Sequence, residues 1–599
     1  MATGRSTFSW LLAFFALIPL GLISFAGFFS RMKIDDFCVV ALAQRHDAWE
    51  NMLYYVNTWS GSFTRFFLIG ALGPLDHMAT AIAPLLIVTL WFCSLSWLIY
   101  EALICLGIAA SRRATAVALS ALTISATIYA FPSERAIYWY VANTAYALPF
   151  APLSAFLALS IRFARQGSFS GKALLAGATI CFLSTGLAEA FAVFQLCFLS
   201  LCLLLAAVSL RGFERYSLVL MLGVGWLTSL GSLVLQLLSP GVINRSLAVS
   251  QDTRLPPVRS LPDLLTGTVE NTFAFLSDPE ITAGFLLLTA VGVLCAWTKL
   301  DFPALKPELR PAQLYTPLLW LGIAVQLLCM PILWAYVSDD PQFLGRFSIR
   351  YMPFIMFNIL SIFAYSALLW GRIPVNAKLM EYGPRLRTTC NVLLVIVSTL
   401  LALEISAVRI YAWFYLLCTI GLFLASFVWE SPAAVPFLSL RRGSFVLALC
   451  LTVTWLCQAS VAATLLFARG EVFIRTMTAG PYLLMISGLI WGALLGYWLK
   501  GLLQVSGSTR IWETVAKLGP VAIILVLGFA MVRDQVELVE LYQSHARQWD
   551  ANHTKILSMR ASGEYPITVD PMPRSFGNYM TEWDAFCYYG VPVTVSEER

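Results

Sequence analysis

Two adjacent carboxylates, Asp35 and Asp36, follow directly on the first long apolar run of the sequence. Neighbouring carboxylates repel each other, which raises the pKa of one of them and lets the pair accept a proton from an attacking hydroxyl group. An acid at the start of a helix also stabilises that helix, so Asp36 is equally well explained as an N-cap beside a solvated Asp35. The pair alone leaves catalysis and helix capping both open.

The segment after the pair, from Tyr54 to Arg65, mixes aromatic residues with polar ones. Aromatic rings next to amide and hydroxyl groups suit a sugar, which has one apolar face and many hydroxyls. An aromatic belt at a membrane surface would explain the rings but not the polar residues between them. The candidate sugar- or acceptor-binding residues of this segment, and of a similar segment near residue 140, are Tyr55, Asn57, Trp59, Arg65, Trp139 and Asn143.

Charged residues in or near apolar stretches form a further class of candidates. Glu189 follows a break at Gly186 and lies within or beside an apolar span. A charge inside a membrane is costly unless it faces a polar cavity, so we include Glu189 among the sugar-binding candidates. The positive-inside rule disfavours arginines on the outer side of the membrane, so a specific interaction must account for each of them. Binding a phosphate through the guanidinium is one reason, and pairing with a nearby acid is the other. The candidate phosphate-binding residues are Arg245, Arg346 and Arg350.

The composition excludes an ordinary soluble protein. Hydrophobic residues make up 59% of the 599-residue chain and charged residues only 12%, about half the charged fraction of a soluble domain. Apolar runs of about 20 residues recur along the chain, and each can cross the ~30 Å core of a bilayer. The net charge of +6 is spread over short loops, which argues against a nucleic-acid partner. The composition predicts a multi-pass helical protein of the lipid bilayer.

The apolar runs predict an all-α polytopic membrane protein with about fifteen transmembrane helices and a small C-terminal α+β domain. A helical pattern from Leu538 to Ile556 and two strand-like runs, Tyr565–Val569 and Pro592–Val595, predict that last domain. The predicted membrane helices lie near 8–30, 79–110, 114–130, 143–161, 172–186, 188–210, 216–238, 282–299, 314–337, 350–370, 389–408, 410–428, 443–468, 481–499 and 515–532.

Clusters of basic residues alternate with the predicted helices and fall on the same side as Arg5. The positive-inside rule assigns that side, and the N-terminus, to the cytoplasm. The segments on the opposite side are longer and richer in acidic and aromatic residues, as expected of functional loops. A transmembrane module over 1–532 then has outer loops 31–78, 131–143, 239–281, 338–349 and 469–480, and 533–599 form a small extracytoplasmic domain.

Cysteine and histidine residues show no metal-binding pattern. Eleven of the 13 cysteines lie in apolar runs, whereas Cys38 and Cys587 lie outside them. A disulfide between these two is one alternative in an oxidising compartment. The four histidines lack the spacing of zinc ligands. No cofactor is certain from the sequence, and a divalent cation, Mg or Mn, held by Asp35, Asp36 and a donor phosphate stays an open alternative.

Five short motifs are spread over most of the chain: Asp35-Asp36-Phe37-Cys38, Trp59-Ser60-Gly61, Trp139 through Pro149, Ser239-Pro240-Gly241 with Arg245, and Trp583 through Gly590. Together they resemble the GT-C glycosyltransferases, multi-pass enzymes that take a sugar from a polyprenyl-phosphate carrier at the outer face of the membrane. The chain is most similar to a bacterial GT-C-like group of glucosyltransferase type that includes O-antigen-modifying enzymes. Ser62 stands where that group leads one to expect an arginine after the glycine.

The resemblance implies inverting transfer of a sugar from a polyprenyl-phosphate donor to a glycan or other hydroxyl acceptor, outside a bacterial inner membrane. One of Asp35 and Asp36, with a slight preference for Asp36, would be the general base, and outer arginines would hold the carrier phosphate. Two alternatives stay open. A flippase or transporter of a lipid-linked or polar substrate would carry charges near the bilayer midplane. A lipid-linked oligosaccharide ligase or polymerase would use a pyrophosphate-linked donor.

Overall fold

The computed structural model describes residues 2–105, 112–130, 137–166, 170–209, 212–251, 268, 279–299, 453–454, 456–466, 476–505, 510–572 and 580–595. The chain divides into two compact units. One comprises Met1–Pro257, Ser460–Met485 and Ile523–Arg599, and the other comprises Val258–Ala459 and Ile486–Ala522. The side chains of the candidate site described below all belong to the first unit.

The elements are named here in chain order. The helices are α1 (Ala2–Gly27), α2 (Asp35–Arg45), α3 (Ala48–Thr58), α4 (Phe63–Leu72), α5 (Met78–Cys105), α6 (Arg112–Tyr129), α7 (Tyr140–Tyr146), α8 (Phe150–Gln166), α9 (Gly171–Thr185), α10 (Glu189–Ser209), α11 (Gly212–Leu237), α12 (Pro240–Gln251), α13 (Pro279–Lys299), α14 (Ala479–Val505), α15 (Arg510–Ser562) and α16 (Glu582–Tyr589). The strands are β1 (Ile567–Val569) and β2 (Val593–Val595).

Within the described ranges, six helices are long and apolar enough to cross a membrane, a mostly helical arrangement that agrees with the predicted all-α membrane protein. These candidate spans are Met78–Cys105, Tyr140–Gln166, Glu189–Ala206, Tyr216–Leu237, Glu280–Trp297 and Ala479–Gly496. Shorter apolar helices are Ala13–Gly27, Phe63–Leu75, Gly171–Thr185 and Leu456–Leu466. The helices predicted near 314–337, 350–370, 389–408 and 410–428, and half of the one near 443–468, lie outside the described residues.

Two predicted helix boundaries can be compared directly with the structure. The break expected between 186 and 188 is confirmed, since α9 ends at Thr185 and α10 begins at Glu189. The span predicted at 143–161 lies within the candidate span Tyr140–Gln166, but it is not one continuous helix, because α7 and α8 are separate and Pro149 lies in the turn between them. A proline disfavours helical geometry in the residue before it, which explains the interruption.

The outer segment predicted as loop 31–78 is mostly helical, comprising α2, α3 and α4. Helix α3 is stabilised by its own sequence, because the Asp47 side chain accepts hydrogen bonds from the amides of Trp49 and Glu50 in a capping box. Helix α2 has no such cap. Its N-cap residue is Ile34, which has a φ of 45° and makes no side-chain hydrogen bond to the helix. A positive φ is unfavourable for a β-branched residue, so tertiary contacts must hold the start of α2.

A buried polar network joins α9, α10 and α11. The side-chain amide of Gln195 donates to the hydroxyls of Thr185 (3.1 Å) and Ser229 (2.7 Å), and its carbonyl accepts from Ser184 (2.9 Å). Between membrane helices, hydrogen bonds of this kind supply attraction that the hydrophobic effect does not. The network fixes the start of α10, the helix that begins with Glu189.

The tail begins inside a continuous helix. Helix α15 is 53 residues long and joins the predicted span 515–532 to the helical pattern of the tail, so the boundary expected at 532/533 lies within it. The two predicted strands are present and pair in parallel, with Ile567 opposite Val593. Apolar residues of α15, α16 and both strands share one core with α2, α3 and α7. The tail is therefore packed directly on the segment that contains α2 and α3.

Candidate functional site

Asp36 is a buried carboxylate that connects two helices. Its side chain is 0% exposed. Its Oδ1 accepts a hydrogen bond from the amide of Val141 (2.9 Å), and its Oδ2 accepts one from the amide of Lys33 (3.1 Å). Burial raises the pKa of Asp36 to about 7, although the two amides act in the opposite direction. Both oxygens are thus used to join the start of α2 to the start of α7.

Asp35 differs from its neighbour because it is exposed to solvent. Its charge interacts with Arg65 and with the hydroxyl of Tyr55, which places it at the edge of the same polar group. The acidic pair therefore divides into one carboxylate committed to backbone amides and one that a substrate can reach.

Arg65 lies on α4 with its guanidinium 5.0 Å from the centre of the Phe66 ring. Burial lowers the pKa of Arg65, and the neighbouring Tyr146 and Glu189 oppose that effect. Among the described residues, no group accepts a hydrogen bond from its buried Nε. A buried donor without a partner is costly, so this atom is a natural contact for an anionic ligand.

Glu189 and Arg245 form an ion pair beside Arg65. The Oε1 of Glu189 is 3.0 Å from an Nη of Arg245 and 3.2 Å from the hydroxyl of Ser60. For Arg245, pairing with an acid is therefore what the structure shows. Together with Asp35 and Arg65, the pair makes a cluster in which negative and positive groups alternate; we call these four residues the charge cluster.

Two glycines allow the loops around the charge cluster to meet. A Cβ on Gly61 would lie 2.3 Å from the carbonyl oxygen of Gln236, and one on Gly241 would lie 2.6 Å from the amide nitrogen of Trp59. Both contacts are with backbone atoms, which cannot move aside easily. Only glycine permits such a close approach. The two glycine motifs, far apart in sequence, are thus packed against each other next to Ser60.

The remaining predicted sugar-binding residues differ in exposure. Tyr55 is buried and stacks on Phe66 with ring centres 3.7 Å apart. Trp139 and Asn143 are also buried, and the Asn143 side chain donates to the carbonyl of Ile137 (2.9 Å). These three residues support the site rather than line its surface. By contrast Trp59 is 50% exposed and Asn57 is exposed, while Arg346 and Arg350 lie outside the described residues.

The sequence left a disulfide between Cys38 and Cys587 open, but it did not identify the contact of Arg31 with the tail. Arg31 makes two hydrogen bonds to the carboxylate of Asp550, at 2.7 and 2.9 Å. Cys38 and Cys587, whose disulfide the sequence left open, are bonded to each other. Arg31 carried a usable signal, because it is a basic residue on the side that the positive-inside rule leaves poor in basic residues.

The acidic pair is the candidate site for a divalent cation. In the described part of the chain, no group of three or more His, Cys, Asp or Glu residues is arranged to hold a metal ion. Both oxygens of Asp36 already accept hydrogen bonds from amides, so this carboxylate is poorly placed as a cation ligand.

Comparisons with family models, with curated proteins and with solved structures found no match for this chain. Functional inference therefore depends on the residues and geometry of the site.

Proposed function

We propose that the protein is a membrane glycosyltransferase that moves a sugar from a polyprenyl-phosphate donor to a hydroxyl acceptor, with inversion at the anomeric carbon. The observation that carries the proposal is the charge cluster. It combines a solvent-accessible carboxylate with a guanidinium whose buried Nε has no acceptor among the described residues, beside candidate membrane helices. The transfer needs a base that takes the proton of the acceptor hydroxyl and a cation that binds the departing phosphate. The carboxylate and the guanidinium can supply these two functions.

In this mechanism Asp35 is the general base. It takes the proton of the acceptor hydroxyl while the oxygen attacks the anomeric carbon and the bond to the carrier phosphate breaks. Asp36 is a positioning residue in the proposal, because its oxygens are held by the amides of Val141 and Lys33. The sequence slightly favoured Asp36 as the base. We choose Asp35 instead because Asp36 is buried, and the sequence of two adjacent aspartates does not show which one is buried.

Arg65 is the residue that we assign to the leaving phosphate. Its unpartnered Nε can donate to a phosphate oxygen, and a guanidinium in a desolvated site stabilises developing negative charge strongly. Arg245 is already paired with Glu189, so in the proposal it fixes the carboxylate of Glu189 for contact with sugar hydroxyls. Arg346 and Arg350 stay predictions.

The cellular location in the proposal is the outer face of a bacterial inner membrane, with the N-terminus in the cytoplasm. The Cys38–Cys587 disulfide supports this orientation, since disulfides persist mainly in oxidising compartments. Cys38 lies two residues after Asp36, so the proposed reaction centre would lie in the same compartment as the tail.

The test is transfer from a short-chain polyprenyl-phosphate hexose by the full-length protein in lipid nanodiscs. Asp35→Asn is expected to lower kcat by about 10²–10⁴-fold with an unchanged melting temperature, as for loss of a general base. Arg65→Gln is expected to lower kcat, and Arg65→Lys to restore it partly. If folded Asp35→Asn retains full transfer, the assignment is wrong. Uptake of substrate into vesicles without formation of a glycosylated product would instead favour a transporter. Transfer only from a pyrophosphate-linked donor would favour a ligase or polymerase.

A further inference from the structure

The acidic pair is flanked on both sides by residues that attach to the tail. Arg31 precedes it and forms the bidentate ion pair with Asp550. Cys38 follows it and is bonded to Cys587, with Cα atoms 4.9 Å apart. These attachments lie four residues before Asp35 and two residues after Asp36. The first turn of α2 is therefore anchored at each end to the same part of the chain.

Two weaker contacts lie between these anchors. The ammonium of Lys33 is 3.3 Å from the hydroxyl of Tyr542 and 5.0 Å from the centre of its ring. The Phe37 ring, which is fully buried, stacks on Trp549 with ring centres 6.4 Å apart. Because Tyr542 and Trp549 both belong to α15, Lys33 and Phe37, on either side of the acidic pair, contact the same helix.

The tail side of this contact is built to be rigid. Helix α16 begins with a capping box between Thr581 and Asp584, and it ends at Gly590 with a φ of 71°, a conformation suited to glycine. On α15, His553 is 2.9 Å from the hydroxyl of Tyr589, and Asn552 donates to the carbonyl of Asp570 (2.8 Å). The helices that hold Arg31 and Cys38 are thus fixed to each other.

The start of α2 needs this support because it has little of its own. Its N-cap, Ile34, supplies no side-chain acceptor and has an unfavourable backbone conformation. Helix α3, in the same outer segment, has a complete capping box instead. The direction in which Asp35 points consequently depends on contacts with residues more than 500 positions later in the chain, as the sequence separation of 519 between Arg31 and Asp550 shows.

We infer that the tail positions the acidic pair: Asp550 and Cys587 are positioning residues that hold the first turn of α2, and with it Asp35, in the orientation that reaction requires. The catalytic meaning of that orientation rests on the proposed function, whereas the mechanical claim does not. Losing one anchor loosens the first turn, and losing both loosens it further, because only the hydrogen bonds of Asp36 and the packing of Phe37 then hold it, while the core of the first unit stays folded.

Hydrogen exchange measured by mass spectrometry on the full-length protein in nanodiscs tests the mechanical claim. In the variant Cys38→Ser/Cys587→Ser/Asp550→Asn, amides in the first turn of α2 are expected to exchange about tenfold faster, as for local opening. Amides of the self-capped α3 are expected to keep their rate. The single variants Asp550→Asn and Cys587→Ser are expected to show smaller increases, and they keep the test valid if the triple variant does not fold.

Matched controls separate positioning from general damage. Asp534→Asn removes another carboxylate of α15, one that pairs with the neighbouring Arg533, and Cys93→Ser removes an exposed free cysteine. Neither should change exchange in α2, and Asp550→Glu should retain most of the protection. An unchanged rate in α2 of the triple variant, or an equal increase in α3, would overturn the inference.

A kinetic measurement with the same polyprenyl-phosphate hexose connects the two proposals. Loss of both anchors is expected to lower kcat about tenfold with little change in KM for the donor, because the donor site is intact and only the base is misaligned. If the wild-type protein shows no transfer but the exchange result holds, the proposed function fails and the positioning claim stands. If transfer occurs and the exchange rates do not change, the positioning claim fails alone.

Discussion

The carboxylate of Asp36 accepts a hydrogen bond from the amide of Val141 at 2.9 Å, across a separation of 105 residues. This bond joins α2 to α7, and the second acid of the pair is buried at this junction. An adjacent pair of carboxylates therefore does two separate tasks here. One fixes the backbone and the other faces solvent.

The first prediction concerns the pH dependence of stability from Asp36. Its pKa in the folded protein is about 7, above the usual 3.8. Its stabilising contribution is therefore fully present below the unfolded pKa and is lost as pH rises towards 7, at most by about 1.4 kcal/mol per pH unit. The difference in melting temperature between wild type and Asp36→Asn should shift in favour of Asp36→Asn between pH 5 and 7.5. An unchanged difference over this range would contradict the raised pKa of Asp36.

The second prediction concerns His545, which is fully buried in α15. Burial, with the charges of Lys33 and Arg31 adding to it, lowers its pKa to about 3. A histidine with a lowered pKa contributes full stability above its unfolded pKa, and this is lost as pH falls. Acidification from pH 6.5 to 5 should cost about 2 kcal/mol, seen as a lower melting temperature. His545→Gln should reduce this acid sensitivity, and an unchanged slope would contradict the assignment.

The third prediction concerns Gly61. A Cβ at this position would lie within 2.8 Å of three backbone atoms of Gln236, so Gly61→Ala should destabilise the protein by about 1–3 kcal/mol. Gly171→Ala is the matched control, because a Cβ there meets nothing within 4 Å. Thermal unfolding of both variants distinguishes them. Equal melting temperatures would show that the Trp59-Ser60-Gly61 segment does not pack on Gln236.

The fourth prediction concerns the ion pair of Glu189 and Arg245. Removing only the carboxylate leaves Arg245 and Arg65 without their shared counter-charge, so Glu189→Gln should destabilise the protein more than Arg245→Gln. The double variant should recover part of the loss. A double-mutant cycle on melting free energies is expected to give a coupling of about 0.5–3 kcal/mol. Strict additivity would mean that the pair contributes little to the site.

The sequence alone determined the class of the fold. Apolar run lengths are fixed by bilayer thickness, so the long apolar helices before residue 300 were predictable, as was the break before Glu189. The shorter helices α2, α3, α4 and α12 lie in segments that were predicted as loops. Strand-like runs in the tail were equally visible because their pattern is local. Local patterns also marked the residues worth attention, including the acidic pair, Arg65, Glu189 and Arg245.

Only the tertiary structure decided what those residues do. Burial separated Asp36 from Asp35, although the two are identical in type and adjacent in sequence. Long-range pairing decided that Arg245 contacts Glu189 while Arg65 keeps an unpartnered Nε, and that Arg31 and Cys38 attach to the tail. Hydrophobic periodicity specifies which face of a helix is buried, but desolvation and partner choice depend on the other elements packed there. Those are properties of the assembled fold.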